Sequence, residues 1–280
     1  MSYAKRGKPK GRLRWHGWTD VGRYRKNNED SFLGLMYDGK EIHRLGKSGE
    51  ISSASVDFAF AVSDGMGGAN AGEYASHIAT ERLTTLLPRC FQLAAAGLEA
   101  GIPDVLAELF DQIHRTLIEH GRVYAECAGM ESTLSLCWFV PGRMYLGHVG
   151  DSRIYYLPQS TGELKQVTQD DTYVGWLLRT GQINDREART HPRRNVLQKA
   201  LGGGNQFVDP QVGVVKCEAG DKFLICSDGL IDGLFDTGLL DVLRPSVPWP
   251  AKEDPAEKLV AHAVRNSGRD NTTAIVIELL

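Results

Sequence analysis

Several short stretches place a carboxylate where an apolar run begins or ends. Glu29 and Asp30 precede "SFLGLMY". Asp64 follows "FAFAVS", Asp151 sits in the turn "VGDSR", Asp228 follows "KFLICS", and Asp270 stands just before "TTAIVIEL". If the strands pack as face-to-face sheets, these ends gather at one edge. Clustered carboxylates repel one another, and burying them unpaired is costly. Divalent cations resolve that conflict, because Mg2+ and Mn2+ are hard ions that prefer oxygen ligands in octahedral geometry. Two such ions about 3.5–4 Å apart can hold and activate a water for attack on phosphorus. Gly65 leaves bare backbone beside Asp64, so its carbonyl can serve as another oxygen ligand. Taken singly each signal is weak. Asp-Gly is a hairpin dipeptide without any chemistry, and Asp151 or Asp270-Asn271 alone reads equally well as a turn or a cap. The weight lies in the combination.

The elements that must position these residues are legible from period and punctuation. Strands are expected around "LRWHGWTDVG", "SFLGLMY" and Asp57 to Ser63. Residues 38 to 56 read as an exposed loop or irregular hairpin. Ala75, Ile78, Ala79, Leu83, Leu86 and Leu87 recur at helical spacing, with Pro88 expected to stop the helix. A second helix after Pro103 carries the stripe Leu106, Leu109, Phe110, Ile113 and Leu117. The period then changes, and "STLSLCWFV", "RMYLGHV" and "RIYYL" are joined by short turns as an antiparallel meander. Residues 169 to 200 read as helical and polar, with "QINDREART" a capped helix. Strands return at "VGVVK", "KFLICS" and "TAIVIEL", the last preceded by the helix "PAEKLVAHAVRN". The fold class expected is α+β, with packed antiparallel sheets and helices laid outside.

Composition narrows the field. The chain has 280 residues, 42% hydrophobic and 24% charged, with a net charge of -3, which argues against a whole-protein nucleic-acid binder. No apolar run reaches the roughly 18 residues that span a membrane, and the N-terminus lacks the apolar core of a leader. The cysteines Cys90, Cys127, Cys137, Cys217 and Cys226 form an odd set without CxxC spacing, so reduced thiols and a cytoplasmic setting are expected. Lys5, Arg6, Lys8, Lys10, Arg12 and Arg14 crowd residues 1–14, read as a solvated basic arm ahead of a single domain over 15–280.

Seven stretches in order, "GRYRKNNEDS", "FAVSDGMGGANAGEYAS", "MESTLSLCWF", "LGHVGDSRIYYL", "NVLQKALGG", "GDKFLICSDGLIDGL" and "GRDNTTAIVIEL", resemble the metal-dependent serine/threonine protein phosphatases of type 2C in their bacterial form. The resemblance implies a four-layer sandwich, two antiparallel sheets packed face to face with helices on both outer sides. It implies a pair of Mn2+ or Mg2+ ions bridged by Asp64, with Asp228 and Asp270 on the first and Glu29 and the Gly65 carbonyl on the second. Asp30 would orient water at the ions. Asp151, with Asp228, would hold a weaker third ion, and Arg25 would grip the substrate phosphate with its bidentate fork. The implied reaction is hydrolysis of phosphoserine or phosphothreonine on proteins by a metal-bridging water, without a covalent phosphoenzyme. Phosphoproteins and a cognate bacterial serine/threonine kinase are the implied partners, and a monomer is the expected state, with neither nucleic acid nor membrane involved.

The sequence also departs from the family pattern. Met66 stands where eukaryotic members carry a histidine proposed as general acid, and methionine has no proton to give. His148 and His191 are the nearest histidines to matched stretches, and His148 reads better as a strand residue. Glu131 replaces a common glycine, so it adds a carboxylate near the site or points to solvent; Asp171 replaces a common histidine. Residues from about Asp170 to Arg194 match a flap beside the site that is expected to influence substrate choice. Two other readings compete. A glycine-rich nucleotide or S-adenosylmethionine loop at "DGMGGANAG" would require a parallel sheet. A catalytically inactive binding module would be expected to have lost ligand positions, whereas every one is matched.

Overall fold

The computed structural model describes residues 11–53, 56–67, 71–95, 101–204, 207–244 and 253–280. Its strands form two sheets. One runs in the order β10 (Lys165–Gln166), β9 (Arg153–Leu157), β13 (Lys222–Cys226), β14 (Thr272–Leu279), β1 (Arg12–Asp20), β4 (Ser48–Ser52). The other runs β11 (Leu201–Gly202), β6 (Glu131–Ser132), β5 (Asp57–Met66), β7 (Leu134–Val140), β8 (Arg143–Val149), β12 (Gln211–Lys216). β2 (Asp30–Tyr37) also pairs with β5 and carries β3 (Ile42–Arg44) on its far edge. Among the described residues every strand pairing is antiparallel, which removes the parallel-sheet nucleotide reading. The α+β sandwich expected from the sequence is the one observed.

β5 shows why the chain layers as it does. Its first seven residues are all buried, so no polar-out alternation is visible. The alternation is instead one of size. Phe58, Phe60 and Val62 enter the core between the sheets, with Trp15, Phe139, Phe223, Ile275 and Ile277. Ala59 and Ala61 face the other way, onto α1 (Ala71–Ala95), whose Ala71, Ala75 and Ala79 recur every fourth residue. Small residues on both sides let helix and sheet approach closely. α2 (Ile102–Val123) completes that layer. On the far side, Leu224 and Cys226 of β13 and Ala274 and Val276 of β14 pack beneath α5 (Asp228–Gly233), α6 (Asp236–Leu243) and α7 (Pro255–Asn266). α3 (Tyr173–Arg179) and α4 (Asp185–Thr190) face Asp151 and Asp228 across a shared cavity, α4 being opened by a reciprocal Asn184–Glu187 capping box.

Four expectations need correction. β9 does not continue the meander of β7 and β8, because after the turn at Asp151 the chain crosses to the other sheet, where β9 pairs with β13 and β10. Pro88 does not end α1, which continues to Ala95. The apolar face outlasts the proline, since Leu87, Cys90 and Phe91 are buried, and Phe91 stacks on Tyr37 at 4.9 Å and meets Trp138 edge-on at 5.2 Å. That burial outweighs the roughly 3 kcal/mol cost of a proline inside a helix. The basic arm does not extend to residue 14. β1 begins at Arg12, and Arg12 and Arg14 pair with Glu50 of β4 at 2.6 and 2.7 Å; residues 1–10 lie outside the described residues. The segment 38 to 56 is partly strand, because β3 and β4 supply edges to both sheets. Among the described residues no helix is long and apolar enough to cross a membrane, and all the cysteines are free thiols, each buried.

Candidate metal centre

Antiparallel pairing brings strand starts beside strand ends. Asp30, first in β2, lies directly opposite Asp64, near the end of β5. Cys226 at the end of β13 lies opposite Ala274 at the start of β14, so Asp228 and Asp270 meet at the same edge. The turn from β8 to β9 brings Asp151 there as well. Burial raises the pKa of Asp64 well above the carboxylate range, and the charges of Asp30, Asp228, Asp151 and Asp270 add to it. Asp228 is raised for the same reasons, burial first and then Asp151 and Asp270. Asp151 is pushed up to about 7 by burial and Asp170. Each carboxylate is therefore held at a cost that an adjacent cation would remove.

Backbone packing fixes the cluster. A Cβ on Gly65 would stand 1.8 Å from the carbonyl oxygen of Gly72, so no larger residue fits. A Cβ on Gly72 would meet Glu29 Oε1 at 2.7 Å and the Gly65 carbonyl oxygen at 2.8 Å. The two donors expected for one ion thus converge on the same bare spot. A Cβ on Gly229 would lie 2.0 Å from the Asn271 carbonyl oxygen, locking the start of α5 against β14.

A layer of hydroxyls and one amide supports the acids. Ser227 Oγ and Thr273 Oγ1 both donate to Asp30 Oδ2 at 2.7 Å. Asp30 Oδ1 is buried without a partner, and its carboxyl is pushed up to about 6, mainly by burial. The Asp64 amide donates to Thr133 Oγ1 at 3.0 Å, and that hydroxyl also bonds Ser152 Oγ. Asn271 accepts from the Glu29 amide at 2.7 Å and donates to the carbonyls of Val21 and Asn27, tying the loop before β2 to the start of β14. These supporting residues were not singled out by spacing. "STL" reads as a strand start and Asp270-Asn271 as a turn or a cap, and neither reading marks their hydroxyls or amide as supports for carboxylates.

Arg25 reaches into the cluster, donating from Nη2 to Asp270 Oδ2 at 2.7 Å with Nη1 4.0 Å from Glu29 Oε2. The other candidates fall elsewhere. His148 is a buried strand residue bonded to Ser135 Oγ and the Gly150 carbonyl. His191 Nδ1 accepts from the Arg193 amide. Glu131 packs against Gly203, where an added Cβ would stand 1.9 Å from its Oε1, and burial is the one cause of its raised pKa. Asp171 binds the Gly150 amide through Oδ2 at 3.1 Å, and its own amide donates to the Gly150 carbonyl, so it braces the turn carrying Asp151.

Among the described residues no three such side chains already close on a single point as a finished cage. The donor set nonetheless fits hard divalent ions. It is all oxygen, Asp228 Oδ1 is buried without a partner, and a guanidinium already lies against Asp270 in a cation's place.

The protein phosphatase 2C family model matches residues 50–262. The serine/threonine protein phosphatase PstP of Mycobacterium tuberculosis is 33% identical over 273 residues, 96% of this chain and 45% of that protein. The serine/threonine phosphatase stp of Listeria welshimeri is 30% identical over 93% of both chains. Among solved structures, the PstP catalytic domain in complex with two manganese ions superposes with a TM-score of 0.70 at 30% identity, covering 96% of this chain and 99% of that one. The chain belongs to the protein phosphatase 2C family. It spans about half the length of the mycobacterial relative.

Proposed function

We propose that the chain is a metal-dependent phosphatase that hydrolyses phosphoserine and phosphothreonine on proteins. The observation that carries this is the convergence of buried, mutually raised carboxylates from separate chain segments around Asp64. Two Mn2+ or Mg2+ ions bound there would supply charge neutralisation and an activated water. Asp64, Asp228, Asp270, Glu29 and the Gly65 carbonyl would hold them, with Asp151 and Asp228 taking a weaker third. Asp30, pinned through Oδ2 by Ser227 and Thr273, keeps Oδ1 for orienting water. Arg25 is half exposed, so its fork can turn from Asp270 to the equatorial oxygens of a phosphate, where opposing charge accumulates during transfer. The proposed substrates are phosphoproteins, among them a cognate bacterial kinase and its targets, met in the cytoplasm by a single subunit. The inactive-module reading gains nothing from an intact ligand set.

The test is hydrolysis of para-nitrophenyl phosphate and a phosphothreonine peptide with Mn2+, Mg2+ or chelator. Activity is expected with metal only, falling by at least about a hundredfold in Asp64→Asn and Asp228→Asn, the usual scale for lost electrostatic groups. A folded protein inactive with either ion would refute the phosphatase reading.

A further inference from the structure

Beside the carboxylate centre, towards α3 and α4, lies a cavity of about 210 Å3 lined by Asp151, Asp228, Arg189, Arg194 and Phe235. Its charges can be paired off. Asp170 is met by Arg153 at 2.6 Å, and Asp232 by Arg194 at 3.2 Å. Asp151 and Asp228 belong to the proposed ions. Arg189 is left over. Its Nη1 donates to the Ile231 carbonyl at 3.3 Å and its guanidinium lies 4.1 Å over the ring of Phe235, and among the described residues no carboxylate meets it. Phe235 is 63% exposed, so the stacked pair is open to a chain docking at the cavity. The same pairing recurs in the neighbouring segment, where Arg193 lies 4.4 Å over Tyr173. Residues 177–195 carry Arg179, Arg186, Arg189, Arg193 and Arg194 against Asp185 and Glu187, in a chain whose net charge is -3.

A guanidinium stacked on an aromatic face is held in orientation while the donors on its edge stay available for a carboxylate. We propose that this cavity docks an acidic side chain of the substrate flanking the phosphorylated residue, with Arg189, held by Phe235, as the group that reads it. The proposal rests on the phosphatase reading and adds to it a substrate class, acidic phosphosites. The occupant follows from charge complementarity. A basic side chain there would meet the surplus cation, whereas an acidic one balances it. A peptide whose phosphate sits at the carboxylate centre passes this cavity, because Asp151 and Asp228 line both.

The experiment measures kcat/KM of the full chain with Mn2+ on phosphothreonine peptides of one core sequence, with Glu, Ala or Lys placed in turn at each flanking position. At one or more positions Glu is expected to exceed Lys by about fivefold, the scale of one partly exposed ion pair, and the ratio should shrink as salt is added. Arg189→Glu should invert the ratio, Arg189→Lys should keep part of it, and Phe235→Ala should weaken it. A merely structural role for Arg189 would lower all rates without inverting the ratio. Equal rates on Glu and Lys peptides by wild-type protein would overturn the proposal while leaving the phosphatase reading intact, as would an unchanged preference in Arg189→Glu. Wild-type protein that hydrolyses neither peptides nor para-nitrophenyl phosphate would overturn both.

Discussion

Two cases show how single residues set the properties of the centre. Asp30 is pushed up to about 6 and Asp151 to about 7, chiefly by burial. Unfolded aspartates titrate near 3.9, so the folded, metal-free chain holds extra protons between about pH 4 and 7. The stabilisation these groups give is complete below about pH 4 and is lost as the pH rises through 6 and 7. Thermal denaturation in chelator is therefore expected to show falling stability from pH 5 to 8, with Mn2+ raising the midpoint more at pH 8 than at pH 5. A flat chelator profile would mean the carboxylates do not burden the metal-free fold. Gly65 is the second case. Gly65→Ala pushes a methyl into the Gly72 carbonyl, which lies 1.8 Å from the added carbon. A loss of about 2 kcal/mol or more is expected in denaturant titrations, together with weaker Mn2+ binding by calorimetry. Asp64, Asp228, Asp270 and Glu29 were legible in the sequence because each stands close to where an apolar run begins or ends. Ser227, Thr273 and Thr133 were not, because a hydroxyl at a strand end looks the same whether it supports a carboxylate or caps a turn.

At the level of elements, α1 and the turn between β8 and β9 make opposite points. In α1 local preference lost. Pro88 reads as a stop, yet the buried stripe carries the helix on to Ala95. Pro88→Ala should restore an amide donor and raise stability by about 1 kcal/mol, the helix gain being partly offset by a freer unfolded chain; a lower melting temperature would show that the proline shapes the packing against Tyr37. In the turn, sequence reasoning saw Asp151 but not its clamp. Arg153 donates twice from Nε and once from Nη2 to Asp170, with Nη2 at 2.6 Å. Such long-range pairs have no spacing to betray them. Asp170→Ala strands a largely buried guanidinium, so a cost of about 2 kcal/mol is expected in urea unfolding, together with looser binding of the proposed third ion at Asp151. Unchanged stability would mean that water replaces the carboxylate without loss.

For the whole molecule, metal binding and folding are linked. Ions that bind only the folded chain should add about 2.7 kcal/mol at a free concentration one hundred times their dissociation constant, read as a concentration-dependent melting temperature that chelator abolishes. The layered α+β arrangement was legible because strand-length apolar runs and helically spaced stripes are set apart by turn residues, whereas strand order was not, because pairing partners lie far apart. The farthest such pair joins Leu13 to Leu279. β1 therefore lacks one of its two neighbours until residues 272–279 have been made, and Asp270 comes from that same late stretch. On a translating ribosome the early strands must wait, exposed, for the last one. A nascent chain stalled before β14 would emerge with Glu29 and Asp64 already synthesised yet unable to retain an ion. Metal capture would then follow the pairing of β14 with β1, and the wait would be a time when chaperones matter most to this protein.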